Sequence, residues 1–536
     1  MATVKIDRFG GIQPRVHPSM LADGMAITAH NVKLKSGKLV PLRQPKIVDG
    51  VLIRMENGLE DIAKAQTMHV WEKENGEIEF LLFPGVTWMA GGNIAADDKT
   101  RVVISGDTGQ KFGDSVNAPV IYYRSPNGSR FIHPLCKNAL PKPSAHRAGG
   151  EIEKFDAITM KGYKTCFELD ALAEAYKKPE KGDVYYTTDG GDIANGGISP
   201  NTGSQVVWLG DDRKWGFYDS TAFANLRYTY FFMTWVDELG YESPVSPPSD
   251  EVVYNDGETI IFDPIGKENV DELGGVKSVR IYKVVTGTET GRIQFIAENG
   301  IDEISGGETG FKIIVKDEDA GEILTQIESA PSDLRCILKV PGGYYCGFSP
   351  SAPKTVAFSD VDLLYSWPLD YRYDIEENIV ALAVTSNSVF ALTDGYPFVL
   401  SGTAPESMSV AKLSNPAACV SPRGVCVYGN EVYYVSNVGL MTIHNSADSG
   451  TTCSNLTEKI FTKDQWLAKN PSECVMGQHD GALHLFFTHA DGTHEGLMID
   501  LNESAAAVTT HDEIAKCVCQ DNKTDRMYFV REGEDA

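Results

Sequence analysis

One pattern returns again and again between Leu334 and the end of the chain, and few folds are open to a chain that repeats itself at this period. Each copy has an apolar strand, a Gly- or Asn-bearing turn, a strand rich in Val, Tyr and Phe, a second turn and a third strand. The copies begin LRCILKV-PGG-YYCGF over 334–348 and NIVALAV-TSN-SVFALT-DGY-PFVLSG over 378–402. They continue as RGVCVY-GN-EVYYVS-NVG-LMTIHN over 423–445, SECVMGQ-HDG-ALHLFFTH-ADG-THEGLMIDL over 472–501 and KCVCQ-DNKTD-RMYFVR over 516–531. The first-strand landmarks Ile337, Val380, Val425, Val475 and Val518 are 43, 45, 50 and 43 residues apart, near the period of a propeller blade. A three- or four-stranded unit of this length cannot cover both its faces alone, whereas neighbours around an axis cover one another. The expectation is therefore a mainly β chain built on a β-propeller; a β-sandwich with coincidental spacing is the competing fold.

The strands outside this stretch are placed by the same reading. Residues 1–55 carry Phe9, Gly10, Gly11, Pro14, Pro18, Asn31, Gly37, Pro41 and Pro45, a density of turn formers that predicts an extended N-terminal arm. Such an arm either ties down its own sheets or contacts a neighbouring subunit. Residues 56–112 form a first propeller part, with a hairpin over 67–85 turning at Asn75-Gly76 and completing the ring beside the last C-terminal copy, which lacks outer strands. Residues 113–220 read as an irregular insertion with one helix, CFELDALAEAYKK over 166–178, whose apolar face is Phe167, Ala171, Leu172 and Ala175. Residues 221–334 alternate as a small antiparallel β-sandwich of fibronectin type III type, and 335–536 form the second propeller part.

Charge bounds the partners. The 536 residues hold 48 Lys and Arg against 74 Asp and Glu, a formal net charge of −26, and such a surface repels nucleic acid and anionic membrane. The ten Cys, at 136, 166, 336, 346, 419, 426, 453, 474, 517 and 519, include no CxxC pair, which argues for reduced thiols rather than a zinc ribbon or a disulfide framework. No apolar run is long enough to span a bilayer and Met1 leads into no signal-like core, so synthesis in a cytosol is expected.

A search for chemistry assigns no catalytic, cofactor-binding or metal-binding residue. There is no Walker A loop, no GxGxxG after a strand, no HExxH and no GxSxG. Gly347-Phe348-Ser349-Pro350-Ser351 lacks the second Gly and places Pro after Ser, so it reads as a turn. His479, His484, His489 and His494 recur at five-residue steps, which on a strand alternates their faces and predicts solvent-side rings on adjacent strands rather than one metal shell. Thr187-Thr188-Asp189-Gly190-Gly191-Asp192 is half an Asp-box turn without its aromatic, and reads as an Asp-Gly turn. No carboxylate pair is singled out by an apolar setting. Trp71, Trp88, Trp208, Trp215, Trp235, Trp367 and Trp466 are too dispersed for a nucleic-acid stacking platform.

Several stretches, in order, resemble a known family. RFGGIQPRVHPSMLADGMAITAHNVKLKSGKLVPLRQP (8–45) is similar to the N-terminal signature of the tail nozzle, or tail tubular, proteins of short-tailed bacteriophages, with Phe9, Gly10, Pro14, Leu21, Ala26, Ala29, Asn31, Gly37, Leu39, Pro41 and Pro45 as its marks. SPVSPPSDEVV, VRIYKVVTGTETGRIQFIAE, VAFSDVDLLYSWPLDYRYDIEENIVALAV (356–384), TDGYPFVLSGTAPESMSVAKL, ACVSPRGV and FTKDQW resemble the same proteins, whereas 113–220 carries none of their marks. The resemblance implies a structural virion protein, not an enzyme and without cofactor. It would form a homohexameric ring below the portal and adaptor of a head-to-tail complex, extending and gating the DNA ejection channel. Implied partners are the adaptor, possible tail fibres or tailspikes, and genomic DNA passing without sequence-specific binding. Implied location is the virion tail, after synthesis in the bacterial cytoplasm. Loops within 186–204 or 86–112, both rich in Gly and Asp, are expected to supply the gate. The alternatives are a propeller-type glycoside hydrolase or depolymerase acting on host surface polysaccharide, another tail hub or fibre-attachment component, and a monomeric binding module.

Overall fold

Apolar and β-branched runs of four to seven residues, broken by Asn-Gly, Asp-Gly and Gly-Gly turns, dictate strands rather than helices, and the chain is mainly β. About 50% is strand and 7% helix, in many separate sheets of which none closes on itself. The computed structural model describes the chain apart from residues 1–7, 36–37, 73–75, 93–99, 113–114, 125–128, 150–158, 213, 219–225, 267–272, 274, 286–291, 306–309, 326, 387, 447–449, 502–506, 522 and 532–536. The expected turn residue Asn75 lies outside the described residues. Two units are formed: Met1–Asn138 with Asp271–Gly275 and Ile327–Ala536, and Ala139–Val270 with Val276–Gln326.

Among the described residues of the first unit, five antiparallel sheets have four strands each, hydrogen-bonded in chain order. Their lead strands are Thr87–Gly91, Arg335–Val340, Ile379–Val384, Val425–Tyr428 and Val475–His479. A two-stranded sheet pairs Ala515–Asp521 with Arg526–Arg531, and a three-stranded sheet orders Leu52–Met55, Ile78–Phe83 and Thr67–Glu72. The landmarks Ile337, Val380, Val425, Val475 and Val518 all lie in the lead strand of their own sheet.

Lead strands of consecutive sheets pack side by side, 87–91 on 335–340, then 379–384, 425–428, 475–479, 515–521 and finally 67–72. The succession returns to its start through Thr67, whose Oγ1 lies 2.8 Å from the Thr87 hydroxyl and accepts the Thr87 N–H at 3.2 Å. Apolar side chains fill the spaces between neighbours. Phe348, Phe358 and Leu382 join the third lead strand's sheet to its predecessor, Phe390, Tyr434 and Ile443 join the next pair, and Val435, Trp466 and Leu485 the next. Met68, Phe80, Cys517 and Val530 join the chain's last hairpin to its first, and Trp71, Phe83, Ile104 and Tyr122 lead on to the sheet beginning at Thr87. Central strands such as Val389–Thr393 are consequently buried at every position. Each fully buried Leu, Val or Phe there contributes about 1.5–3 kcal/mol relative to exposure.

The N-terminal arm lies along the sheet that begins at Val475. Asn31 N–H donates to Thr510 O at 2.8 Å and Thr510 N–H to Ala29 O at 2.9 Å. Gly11, at φ +94°, needs its missing side chain, because a Cβ would stand 2.7 Å from the backbone N and O of Val508. Side chains add His30 to Asp512 at 2.8 Å and Lys33 to Asp480 at 2.6 Å.

The stretch 113–220, expected to be irregular, is ordered into sheets. Strands Val120–Arg124 and Arg130–Pro134 pair outward from Thr100–Gly106, completing the four-stranded sheet that starts at Thr87. Residues 139–220 belong to the second unit, where Thr159–Lys164, Asp183–Thr187, Gln205–Gly210 and Lys214–Phe217 form a four-stranded sheet. Its helix, Cys166–Ala173, is shorter than predicted and turned differently. Cys166, Leu169 and Ala173 face inward, while Phe167 is 82% exposed. The start is set by a capping box: Thr165 Oγ1 accepts the Glu168 N–H and the Glu168 carboxylate accepts the Thr165 N–H. The Leu169 carbonyl accepts from Trp215 Nε1 at 2.9 Å, fixing the face that Leu169 presents.

Among the described residues, the rest of the second unit holds three small antiparallel sheets: Ala145–Arg147 with Glu258–Phe262 and Phe311–Val315, Leu226–Thr229 with Val252–Asn255, and Phe231–Asp237 with Val276–Val285 and Arg292–Gly300. SPVSPPS (243–249) runs along the strand Phe231–Asp237 with a period of three against the strand's period of two. Ser243, Ser246 and Ser249 each donate a backbone N–H to the carbonyl of Trp235, Met233 and Phe231, at 2.9 Å in every case. Each Ser Oγ accepts the N–H of that same strand residue, at 3.0, 2.9 and 2.9 Å. Pro244, Pro247 and Pro248 carry no N–H of their own, and the segment takes the place of a strand partner at this edge. Ser246 is 3% exposed, and replacing it by Ala leaves the Met233 N–H without a partner. Ser246→Ala is expected to lower unfolding stability of the second unit by about 1–3 kcal/mol, read as a shifted denaturant midpoint at unchanged m-value; no shift would mean that the ladder does not hold the edge.

Candidate functional site

Four lead strands, 87–91, 335–340, 379–384 and 425–428, line a cavity of about 440 Å³ in the first unit. Small side chains at Ala381 and Ala383 let neighbouring strands approach, and a register shift between Arg335 and Leu338 places Cys336 at φ +56°. That left-handed conformation is held from the next sheet: Cys336 Sγ accepts the Leu382 N–H at 3.2 Å and lies 3.7 Å from the Leu382 carbonyl. Burial pushes the Cys336 thiol up to about 12, so it acts as a hydrogen-bonding wedge rather than a nucleophile. The cavity wall is Trp88, Pro341, Pro422 and aliphatic side chains, with Lys339, Thr385 and Ser386 as its polar members. This lining suits an apolar group carrying an anionic or hydrogen-bonding end.

A second concavity, of about 480 Å³, is polar: His30, His494, His511, Glu495, Thr510 and Asp512 surround it. Of the histidines at five-residue steps, His494 is therefore at this groove. His479 and His489 instead approach backbone carbonyls, His479 Nδ1 at 3.1 Å from Asp525 O and His489 Nδ1 at 3.0 Å from Ala468 O. His484 corrects the solvent-side expectation. It is 9% exposed, with its ring 5.6 Å from His511 and 6.5 Å from Phe486, because the hairpin of 515–531 covers this face through Phe529, 5.8 Å from Phe486. Among the described residues no group of three His, Cys, Asp or Glu is placed to hold a metal ion.

Burial sets the protonation of these rings. Desolvation, helped by the neighbouring His511, His479 and Lys33, lowers His484 to about 3, and desolvation lowers His511 and His69 to about 4. All three are held neutral in a fold whose unfolded chain would titrate near 6.5. The folded state thus binds fewer protons than the unfolded state below that value, and stability is lost as pH falls from about 6.5 toward 4 and then 3. Denaturant midpoints at pH 7 and pH 5 should differ less for His484→Gln/His511→Gln than for the native chain; equal differences would mean that other groups set the acid response.

Sequence reasoning singled out no carboxylate pair, yet two buried carboxylates stand out. Glu79 is 0% exposed and ion-paired to Arg54 and Arg124; Glu56 is 6% exposed and paired to Arg130. The Arg124 guanidinium lies 4.4 Å from the Trp71 ring centroid, and that of Arg130 lies 4.9 Å from Tyr122. Tyr122 Oη also donates to Glu56 at 3.3 Å, and burial followed by the Glu56 charge raises its pKa. Desolvation, with repulsion from Arg54 and Arg130, lowers that of Arg124. A signal was present: Glu79 interrupts the run IEFLLF, where a carboxylate on a buried strand requires a cation. With Arg54 and Arg124 on Glu79 and Arg130 on Glu56, both carboxylates are charge-neutralised, an arrangement suited to holding sheets in register rather than to moving a proton. Glu79→Gln is expected to lower unfolding stability by about 3–5 kcal/mol, far more than Glu376→Gln at the exposed Lys412 pair; equal losses would argue against a neutralised buried cluster.

The remaining sequence motifs resolve as structure. Asp189 Oδ1 accepts the Cys166 N–H at 2.8 Å at the helix start, and Asp192 Oδ1 accepts from Ser199 Oγ at 2.5 Å. The Ser349–Ser351 turn closes on Asp333, which accepts the Ser351 N–H at 2.9 Å and hydroxyl at 2.6 Å. Trp71, Trp215, Trp235, Trp367 and Trp466 are fully buried, and Trp88, at the first cavity, is half-buried. All ten Cys are free thiols, and no helix among the described residues is long and apolar enough to cross a membrane. Of the two stretches expected to supply gating loops, 86–112 is largely sheet, through Thr87–Gly91 and Thr100–Gly106, with 93–99 outside the described residues. Residues 188–204 are turns and bends closed by the Ile193–Ile198 bridge.

No protein-family model matches the chain, and no curated protein matches it. Solved structures similar to parts of it include Kluyvelomyces marxianus Hsv2, at 10% identity and TM-score 0.25, covering 51% of this chain and 69% of that one. A puromycin-hydrolyzing peptidase of Mycobacterium tuberculosis is similar at 10% identity and TM-score 0.22, covering 78% of this chain and 53% of its own. A functionally unknown protein from Desulfotomaculum acetoxidans is similar at 8% identity and TM-score 0.20, over 49% and 77%.

Proposed function

We propose that this chain is a structural protein of a short-tailed phage tail, a nozzle subunit that forms a hexameric ring below the portal and adaptor and continues the DNA ejection channel. The observation that carries the reading is the cyclic succession of lead strands, in which the first hairpin of the chain seals against its last and Thr67 hydrogen-bonds back to Thr87. That succession favours a seven-sheet β-propeller whose N- and C-terminal strands lock one another, a rigid wedge of the kind a ring requires. The second unit, with the serine ladder on one edge, is read as the inserted fibronectin type III-like sandwich.

The nozzle resemblance gains a physical basis from the same contacts. Its N-terminal marks include the residues that seat the arm: Asn31 bonds Thr510 and Asp512, and Ala29 bonds Thr510, while Phe9 packs on the core beneath. A net charge of −26 suits a conduit through which DNA passes without adhering. The turns of 188–204 are the stretch favoured for gating. Mass measurement of the purified chain, alone and with its adaptor, should give a six-copy ring, and labelled chain should lie at the tail of intact particles. A lone monomer under both conditions, or release of reducing ends from host polysaccharide, would overturn the reading.

A further inference from the structure

Charge is distributed very unevenly along this acidic chain. Residues 1–54 hold nine Lys and Arg against three Asp, a net of +6, so the other 482 residues hold 39 against 71, a net of −32. The first part of this basic arm uses its charge within its own chain: Lys33 pairs with Asp480, His30 contacts Asp512, and Arg15 donates to the Glu458 carbonyl. Its second part does so at Arg54, paired with Glu79, but not at its other described cations. Lys38, Arg43 and Lys46 are exposed and have no ion-pair partner among the described residues. Residues 43–50 are exposed at every position.

Apolar surface accompanies the unused cations. Ile47 is 87% exposed, Val48 44%, Leu52 42%, Ile53 43% and Met55 46%. Leu52 and Ile53 point to opposite faces of one strand, so both faces of Leu52–Met55 are open to solvent. That strand is also the edge of its sheet, paired only with Ile78–Phe83 among the described residues. Its other backbone edge is free to take a further strand. Apolar side chains at an unpaired edge, flanked by cations on a body of opposite charge, are the features of a docking surface, not of a solvated arm.

We infer that residues 43–55 dock one copy of this chain against the acidic body of the next. The occupant is a second copy because the chain already uses this chemistry on itself, arm cations on body carboxylates, and because every copy carries both the basic stretch and the acidic surface. A surface on one copy that fits a different surface on the next generates a head-to-tail ring rather than a closed pair. The inference rests on the ring reading above and assigns the contact that builds it.

The test uses the full-length chain with a photo-crosslinking residue at Ile47, which is too exposed for its replacement to disturb folding, and in parallel the variant Arg43→Glu/Lys46→Glu. In assembled rings the probe should yield a covalent dimer joining 43–55 to an Asp- or Glu-rich peptide of another copy. The double variant should melt like the native chain and associate at least tenfold more weakly, and raising salt should weaken native association in the same direction. Rings that form undiminished in the double variant, with crosslinks only within one chain, would overturn the inference and leave the ring reading standing. Crosslinks to the adaptor or to added duplex DNA in place of a second copy would also overturn it. A native chain that never assembles, with or without adaptor, would remove the ring reading and this contact with it.

Discussion

The fold of the first unit depends on a meeting between parts of the chain more than 400 residues apart. The strand Ala515–Asp521 starts a sheet of only two strands, too small to cover the face of its predecessor and protect its own edges. Thr67–Glu72 packs beside it, and Met68, Phe80, Cys517 and Val530 fill the space between. Without that contact, two apolar surfaces would face water at once, one from each end of the chain. The Thr67–Thr87 hydrogen bonds then pass the succession on to the next sheet, beside the apolar contact of Trp71, Phe83, Ile104 and Tyr122. Closure of this kind brings a kinetic consequence: loop-closure entropy is met before the contacts that offset it form, so the terminal joint is expected to be the last element to order.

Buried ionisable groups in the first unit gather near the same seam. Glu79 and Arg54 lie in the sheet formed by the first hairpin and Arg124 in the sheet beginning at Thr87, His69 bonds to Thr87 at 2.9 Å, and His484 and His511 occupy the face covered by the last hairpin. Repeated sheets elsewhere pack through Phe, Leu, Val and Tyr, because successive copies offer one another the same apolar pattern. At the seam the partners come from unlike sequences, and the Glu79–Arg124 pair joins the first hairpin's sheet to the sheet beginning at Thr87. Such pairs contribute little net stability over an apolar replacement but make mismatched neighbours costly.

How much of this was legible in the sequence varies with the range of the pairing. Strands that pair with their immediate successors, such as Ile379–Val384 with Val389–Thr393, were readable from apolar runs and Gly or Asn turns alone. Val120–Arg124 was not, although VIYYR is a good strand sequence, because its place is set by pairing to Thr100–Gly106 across two Gly-bearing breaks. In the helix, the capping box fixes the start, but Phe167 misled: the inward face is decided by Tyr185 and Trp215, on later strands of the sheet the helix packs against. The fourfold histidine spacing misled: cross-strand pairing of His479 with Ala482 and of Thr488 with His494 puts His479, His484 and His494 on one face, and His484 is buried there against Phe486 and His511, beside the last hairpin's Phe529. No local pattern contains that information.

The serine ladder shows why a turn-like composition can still be a structural edge. SPVSPPS would ordinarily mark a loop, since three prolines remove backbone donors and no apolar alternation is present. Placed against Phe231–Asp237, the three-residue period of the proline segment matches two residues of the strand, so that every Ser meets every second strand residue. Each Ser returns through its side chain the acceptor that an adjoining strand would have supplied from its backbone. The strand's apolar residues Phe231, Met233 and Trp235 are thereby kept buried at a margin with no further strand to pair among the described residues. A sheet edge capped in this way cannot template another chain, whereas the bare edge at Leu52–Met55 can, and the contrast between the two edges is itself an argument that the second has been left open for a partner.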